Sequence, residues 1–149
     1  MIRPAKVGDA SALHKLINYY AQKGQMLFLS LHEIYEHLRD FSVYEKDGNV
    51  VGACALHITW QDLAEIRSLA VNEDYLKQGI ASQLLKFKLK EAGEFQISRV
   101  FALTYSPEFF IKHNFYVIDK SKLPHKIWAD CIKCVKFPDC NETAMVYDF

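Results

Sequence analysis

Leu69-Ala-Val-Asn-Glu-Asp-Tyr-Leu-Lys-Gln-Gly-Ile-Ala-Ser-Gln-Leu-Leu85 is the stretch on which the reading of this chain turns. Its apolar start ends a strand, its middle is a short polar loop, and Gly79 opens a run with helical spacing. A helix N-terminus presents unpaired backbone N–H groups at the positive end of its dipole, which suits a pyrophosphate. Gly79 lets a phosphate approach the backbone, small Ala81 keeps the approach clear, and Lys77 adds a point charge. An ordinary strand-turn-helix fits the same residues, because one glycine is a weaker signal than a full glycine-rich motif.

Working outward, Ala64-Glu-Ile-Arg-Ser-Leu-Ala-Val71 predicts the strand that feeds this loop, and Ile80 to about Ala92 the helix that leaves it. Phe41-Ser-Val-Tyr-Glu and Val50-Val-Gly-Ala-Cys-Ala-Leu flank Asp47-Gly48, a hairpin signal. Ile2-Arg-Pro4 reads as an edge strand. Asp9 is placed to cap a helix carrying Leu13, Leu16, Ile17 and Tyr20, and a short helix follows Ser30. Downstream, Arg99–Thr104, Phe115–Ile118 and Ala144–Tyr147 predict three more strands, and Pro107 opens a short helix. No linker or repeat divides the chain, so residues 1–149 are read as one α/β domain with a mixed sheet.

The chain has 149 residues, long enough to bury a core without disulfides or a structural metal. Its 18 basic residues equal its 18 acidic ones, so the basic excess of a nucleic-acid binder is absent. The longest apolar stretch, Val50 to Trp60, is interrupted by His57 and is too short to span a bilayer. The N-terminal residues have no signal-peptide core, so the four cysteines read as thiols or ligands and the expected location is the cytoplasm. The expected partner is a small molecule, with no nucleic acid and no membrane. Self-association is left open, a homodimer included.

Val71-Asn-Glu-Asp-Tyr-Leu-Lys-Gln-Gly-Ile-Ala resembles the acetyl-CoA loop of the GCN5-related N-acetyltransferase (GNAT) family, written Arg/Gln-x-x-Gly-x-Gly/Ala. It matches at Gly79 and Ala81 and departs at Leu76, which stands in place of Arg or Gln. Ile2-Arg-Pro-Ala5, Asp47-Gly-Asn-Val-Val-Gly52 and Phe109-Phe-Ile-Lys-His-Asn-Phe115 resemble other parts of the family in the same order. The resemblance implies a mostly antiparallel mixed sheet with a splayed parallel strand pair, about four helices, and acetyl-CoA as co-substrate. By the same resemblance, amides of Leu69, Ala70 and Val71 meet the pantetheine and polarise the acetyl carbonyl. Lys77, Gln78, Gly79, Ile80, Ala81 and Ser82 then bind the pyrophosphate, and Phe110 lies on the cofactor side.

Attack of an amine on a thioester requires proton removal, since a free amino group is largely protonated near neutrality. Glu65, just upstream of the cofactor loop, looks like the glutamate many relatives use, often through water; a solvent-facing carboxylate is the plainer alternative. Relatives often place a proton-donating tyrosine where this chain has Phe109-Phe110; Tyr105 is a substitute candidate, with a tyrosine that only packs its ring, or no dedicated acid at all, as the alternatives. Arg67 shares a strand face with Glu65 if alternation is regular, and there it pairs either with a substrate carboxylate or with a protein carboxylate.

Lys122-Leu-Pro-His-Lys-Ile-Trp-Ala-Asp-Cys-Ile-Lys-Cys134 and Lys136-Phe-Pro-Asp-Cys-Asn-Glu142 resemble short, single-domain N-acetylglutamate synthases. That resemblance implies L-glutamate as acceptor, at the entry to arginine biosynthesis, with Lys126 beside Arg67 holding its carboxylates. Other amino acids, a polyamine or a protein N-terminus are the alternative acceptors, and a non-catalytic acetyl-CoA-binding module is the alternative class. Cys131, Cys134 and Cys140 with His125 or Glu142 make a zinc set on paper. Without a second Cys-x-x-Cys they read as free thiols, and no metal is expected.

Overall fold

The structure is a computed structural model and describes residues 1–123 and 142–149. β1 (Ile2–Pro4), β2 (Phe41–Lys46), β3 (Asn49–Trp60) and β4 (Leu63–Val71) pair antiparallel in succession. β5 (Arg99–Thr104) joins β4 in parallel, and β7 (Thr143–Asp148) and β6 (Tyr116–Ile118) continue antiparallel. The sheet order among the described residues is β1-β2-β3-β4-β5-β7-β6. Among the described residues four α-helices accompany it: α1 (Ala10–Gln22), α2 (Leu31–Glu36), α3 (Ile80–Glu94) and α4 (Pro107–Ile111). A parallel neighbour needs a crossover, and α3 supplies it between β4 and β5.

Local chemistry accounts for most boundaries. Asp47 and Gly48 both have positive φ, 52° and 79°, the conformation a two-residue hairpin turn demands. Ser30 Oγ accepts from the Glu33 amide and Glu33 accepts from the Ser30 amide, both at 3.1 Å, a reciprocal cap that starts α2. Asp9 behaves differently from the expectation. Its carboxylate accepts from the Lys6 amide at 2.7 Å and from Arg3 at 2.7 and 3.0 Å, and makes no cap bond to α1. Arg3, held also by Glu45, outcompetes the helix for that carboxylate and keeps it below its ordinary range.

The sheet buries both faces. On one, Leu13, Leu16 and Ile17 of α1 and Ile34 of α2 cover Phe41, Val43, Ala53 and Ala55. On the other, Ile80, Leu84, Leu85 and Ala92 of α3 cover Cys54, Leu56, Ala64, Ile66 and Val100. Each large aliphatic buried here contributes about 1.5–3 kcal/mol. Gly52 is what lets α3 sit this close: a Cβ there would meet Ile80 and Leu84 at 3.1 Å. Under α3, Cys54 is fully buried and desolvation pushes its thiol up to about 12, while fully buried Lys88 pairs with Glu91 at 3.0 Å.

β3 is longer than its apolar run suggests. The expected strand ends at Leu56, whereas pairing carries β3 to Trp60, opposite Leu63. The partner strand supplies the hydrogen bonds once the hydrophobic run is over. The four added residues include His57, which the extension places opposite Glu65.

Candidate active site

Two irregularities in β4 shape the cleft. On its β5 side, pairing covers Leu63–Arg99, Ala64–Val100 and Glu65–Phe101, and beyond these the two parallel strands diverge. On its β3 side, Ala53 pairs with Ala70 and Ala55 with Arg67, so Ser68 and Leu69 together face Cys54. This is a β-bulge, and Ser68 holds it in the left-handed region at φ 53°. Leu69 is half-buried, and Ala70 and Val71 are buried behind it. Tyr20 Oη of α1 donates to the Val71 carbonyl at 2.5 Å, which ties the end of β4 to the helix layer.

Glu65 is only 8% exposed, and Arg67 Nε donates to its Oε1 at 2.5 Å. Regular alternation thus puts the two on one face, and they pair with each other. The cross-strand partner of Glu65 is His57, whose Nδ1 lies 2.7 Å from Asp40 Oδ2. His37 Nδ1 lies 3.8 Å from the same oxygen, and its ring meets that of His57 edge-on at 5.4 Å. Donor atoms of His37, Asp40 and His57 fall within 4.8 Å of one another. Two ligands of a tetrahedral ion sit about 3.3 Å apart, so the 2.7 Å contact between His57 and Asp40 is a hydrogen bond, with His37 beside it at 3.8 Å.

At the other end of the cleft, α3 starts without a side-chain cap, after Gly79 at φ 78°. A Cβ at Gly79 would meet only Gln83 Nε2, at 3.9 Å, so the space before the helix is open. Lys77 is exposed in the loop at φ 65°, and Lys46 from the β2–β3 hairpin donates to Gln78 Oε1 at 3.2 Å. Ile80 points into the core, Ala81 is half-buried, and Ser82 Oγ lies 3.0 Å from His113 Nε2. Burial, with Lys86 and Lys112 nearby, lowers His113 below its ordinary range. Uncapped amides, an open approach and two lysines fit a pyrophosphate. Lys46 escaped the sequence reading; the hairpin that carries it was the available signal.

Tyr105 lies half-buried on the bend after β5, and Phe110 is a core residue, its ring 5.3 Å from Phe109 and 5.1 Å from Phe115. Lys126, His125 and the cysteines 131, 134 and 140 lie outside the described residues. No helix among the described residues is long and apolar enough to cross a membrane.

This splayed, bulged sheet has close counterparts. Residues 11–117 match the acetyltransferase (GNAT) family. An uncharacterized N-acetyltransferase of Chlorobaculum tepidum is 41% identical over 145 residues, 97% of this chain and 94% of that protein. An amino-acid acetyltransferase of Mycobacterium tuberculosis is 35% identical over 133 residues, 87% of this chain and 76% of that protein. Rv2747 of M. tuberculosis, solved in complex with CoA and NLQ, superposes with a TM-score of 0.87 at 31% identity, covering 100% of this chain and 99% of that one. N-acetylglutamate synthase of Neisseria gonorrhoeae, complexed with coenzyme A and N-acetyl-glutamate, gives 0.91 at 29%, covering 99% of this chain but 34% of the synthase.

The chain belongs to the GNAT family of acetyltransferases. It is an acyltransferase, and acetyl-CoA is its acetyl donor.

Proposed function

We propose that this acetyltransferase domain transfers the acetyl group to the α-amino group of a free amino acid, with L-glutamate preferred. The observation that carries this reading is the Glu65–Arg67 pair on β4, where the strand parts from β5. A carboxylate there suits an ammonium, and a guanidinium suits a carboxylate, the two groups every free amino acid carries. The M. tuberculosis amino-acid acetyltransferase and the N. gonorrhoeae synthase, complexed with N-acetyl-glutamate, support the same acceptor class. Lys126 is the proposed second cation, for the side-chain carboxylate.

In this reading the amides of Leu69, Ala70 and Val71 face the thioester, and an N–H aimed at the developing oxyanion stabilises it without any special side chain. Gln78 to Ser82 hold the pyrophosphate, with Lys77 and Lys46 neutralising charge, and Phe110 backs the cleft from the core. Glu65 orients the ammonium and receives its proton directly or through water. Tyr105 is the proposed donor to the departing thiolate. The location proposed is the cytoplasm, and the step would be the entry to arginine biosynthesis.

The test is an acceptor series with acetyl-CoA, read by thiol release. L-glutamate should show a higher kcat/KM than L-glutamine or L-leucine by roughly ten- to a hundredfold, because a neutral acceptor leaves a cation unmatched, at about 1.5–3 kcal/mol. Equal rates for glutamate and leucine would end the glutamate assignment and leave the family membership standing.

A further inference from the structure

His57 has no place in the reading so far, although it stands directly across from Glu65 in the β3–β4 ladder. Directly opposed residues share a face of the sheet, with Cβ atoms about 4.5–5.5 Å apart. Glu65 Oε1 already accepts from Arg67 at 2.5 Å, so the guanidinium competes for the oxygen an incoming proton would take. Among the described residues the neighbouring imidazole has its hydrogen bond on Nδ1, to Asp40. An ionised carboxylate can only accept, so at 2.7 Å from Asp40 Oδ2 it is Nδ1 of His57 that carries the hydrogen. In the neutral ring that bond fixes the tautomer and leaves Nε2 with the lone pair.

We infer that His57, oriented by Asp40, is the terminal acceptor of the proton that leaves the substrate amine, with Glu65 as the group that holds the ammonium and passes the proton on. The inference rests on the acceptor reading above. Among the described residues, Asp40 and His37 from the turn after α2 lie beside the imidazole and Glu65 of β4 stands across from it, with Arg67 bonded to Glu65. Asp40 offsets the positive charge that protonation creates. The His57 side chain is 28% exposed, so the imidazolium can release its proton to water.

The step balances. The substrate ammonium gives one proton through Glu65 or a water to His57 Nε2, and from there to solvent. The freed lone pair forms the N–C bond at the thioester carbonyl, the C–S bond breaks, and the sulfur leaves with its electron pair. The second amine proton ends on that thiolate. Ammonium and thioester become amide, thiol and one free proton. Asp40, which does not touch substrate, is a positioning residue.

The experiment is kcat against pH at saturating acetyl-CoA, with glutamate or whichever acceptor the series above returns as best. Using kcat removes the titration of the free acceptor from the profile. The wild type should show an acid limb, because an acceptor that already carries the proton cannot take another. His57→Gln should lower kcat roughly ten- to a hundredfold and abolish that limb, with the Kd for acetyl-CoA within about twofold by calorimetry. Added imidazole should restore part of the activity of His57→Ala. Asp40→Asn should lower kcat less and shift the limb, which a merely structural role would not do. If His57→Gln fails to bind acetyl-CoA, the Asp40→Asn profile decides, and a limb identical to wild type overturns the inference. So does a His57→Gln enzyme that keeps both rate and limb, or a limb lost in Glu65→Gln and kept in His57→Gln. Failure of glutamate alone as acceptor overturns the preceding assignment and leaves this one to be decided on the better acceptor.

Discussion

From Leu63 to Arg67, β4 is a regular strand, paired with β5 as far as Glu65, and what it brings to the cleft is side chains. From Ser68 to Val71 it is bulged and pairs with β3 only, and what it brings is main chain. The half assigned to the acceptor therefore depends on which side chains stand opposite one another. The half assigned to the cofactor depends on φ angles, at Ser68 and then at Lys77 and Gly79. On the proposed reading the cradle is amide, so side chains around it are freer to vary, and exposed Leu76 fits that reading at the position where the family motif has Arg or Gln. A side-chain-built site has no such latitude.

The comparison breaks most easily at Gly79. Valine there must adopt φ near 78°, at about 1–2 kcal/mol, and puts a branched side chain where a phosphate approaches. Gly79→Val should weaken acetyl-CoA binding by roughly a hundredfold or more in calorimetry, with the domain still folded and its stability lowered by no more than that strain. Near-normal affinity would remove the pyrophosphate from this helix end. Glu65→Gln should do the reverse. Turnover falls roughly ten- to a thousandfold, acetyl-CoA binding is unchanged, and the loss shrinks at high pH, where more acceptor is already neutral. If both parameters fell together, the two halves would not be separable.

Arg67→Ala sharpens the acceptor side. The KM for glutamate should rise roughly ten- to a hundredfold, while the KM for acetyl-CoA stays put; an unchanged glutamate KM would leave the Glu65–Arg67 pair a purely structural one. At Ser68 the effect is smaller and falls on stability. Ser68→Gly should be neutral or better, whereas Ser68→Val should lose about 1–2 kcal/mol in chemical denaturation, because a β-branched residue resists the left-handed bulge.

The smallest effect lies outside β4. Asp9 is held below its ordinary range chiefly by the Arg3 hydrogen bonds, so its contribution exists above the ordinary carboxylate range and disappears as pH falls through the depressed value. Asp9→Asn should lose about 1 kcal/mol at neutral pH, and the difference from wild type should vanish on acidification. Cofactor binding and turnover should not change.

How much was legible follows from the range of the physics involved. Hydrophobic period and turn chemistry are local, so Asp47-Gly48, Ser30 with Glu33, and Gly79 before an amphipathic run could be read as hairpin, cap and helix start. Asp9 was read as a cap because nothing local reveals Arg3 and Glu45 as its competitors across the sheet edge. His57 was visible only as an interruption in an apolar run. Its value comes from Asp40, seventeen positions away, and from Glu65 on the next strand. Lys46 reaches Gln78 across thirty-two positions.

The sequence by itself determined the order of strands and helices, the glycine at the start of α3, and the presence of Glu65 and Arg67 on one strand two residues apart. Those follow from chain-local preferences that any fold must respect. Only the tertiary structure decided where β4 parts from β5, that Ser68 takes the bulge, that Arg67 turns to Glu65, and that Asp40 meets His57. Each of these is a pairing between elements. It is settled when sheet register and helix packing bring a charged group to its partner, and that is a property of the folded arrangement and not of any segment of the chain.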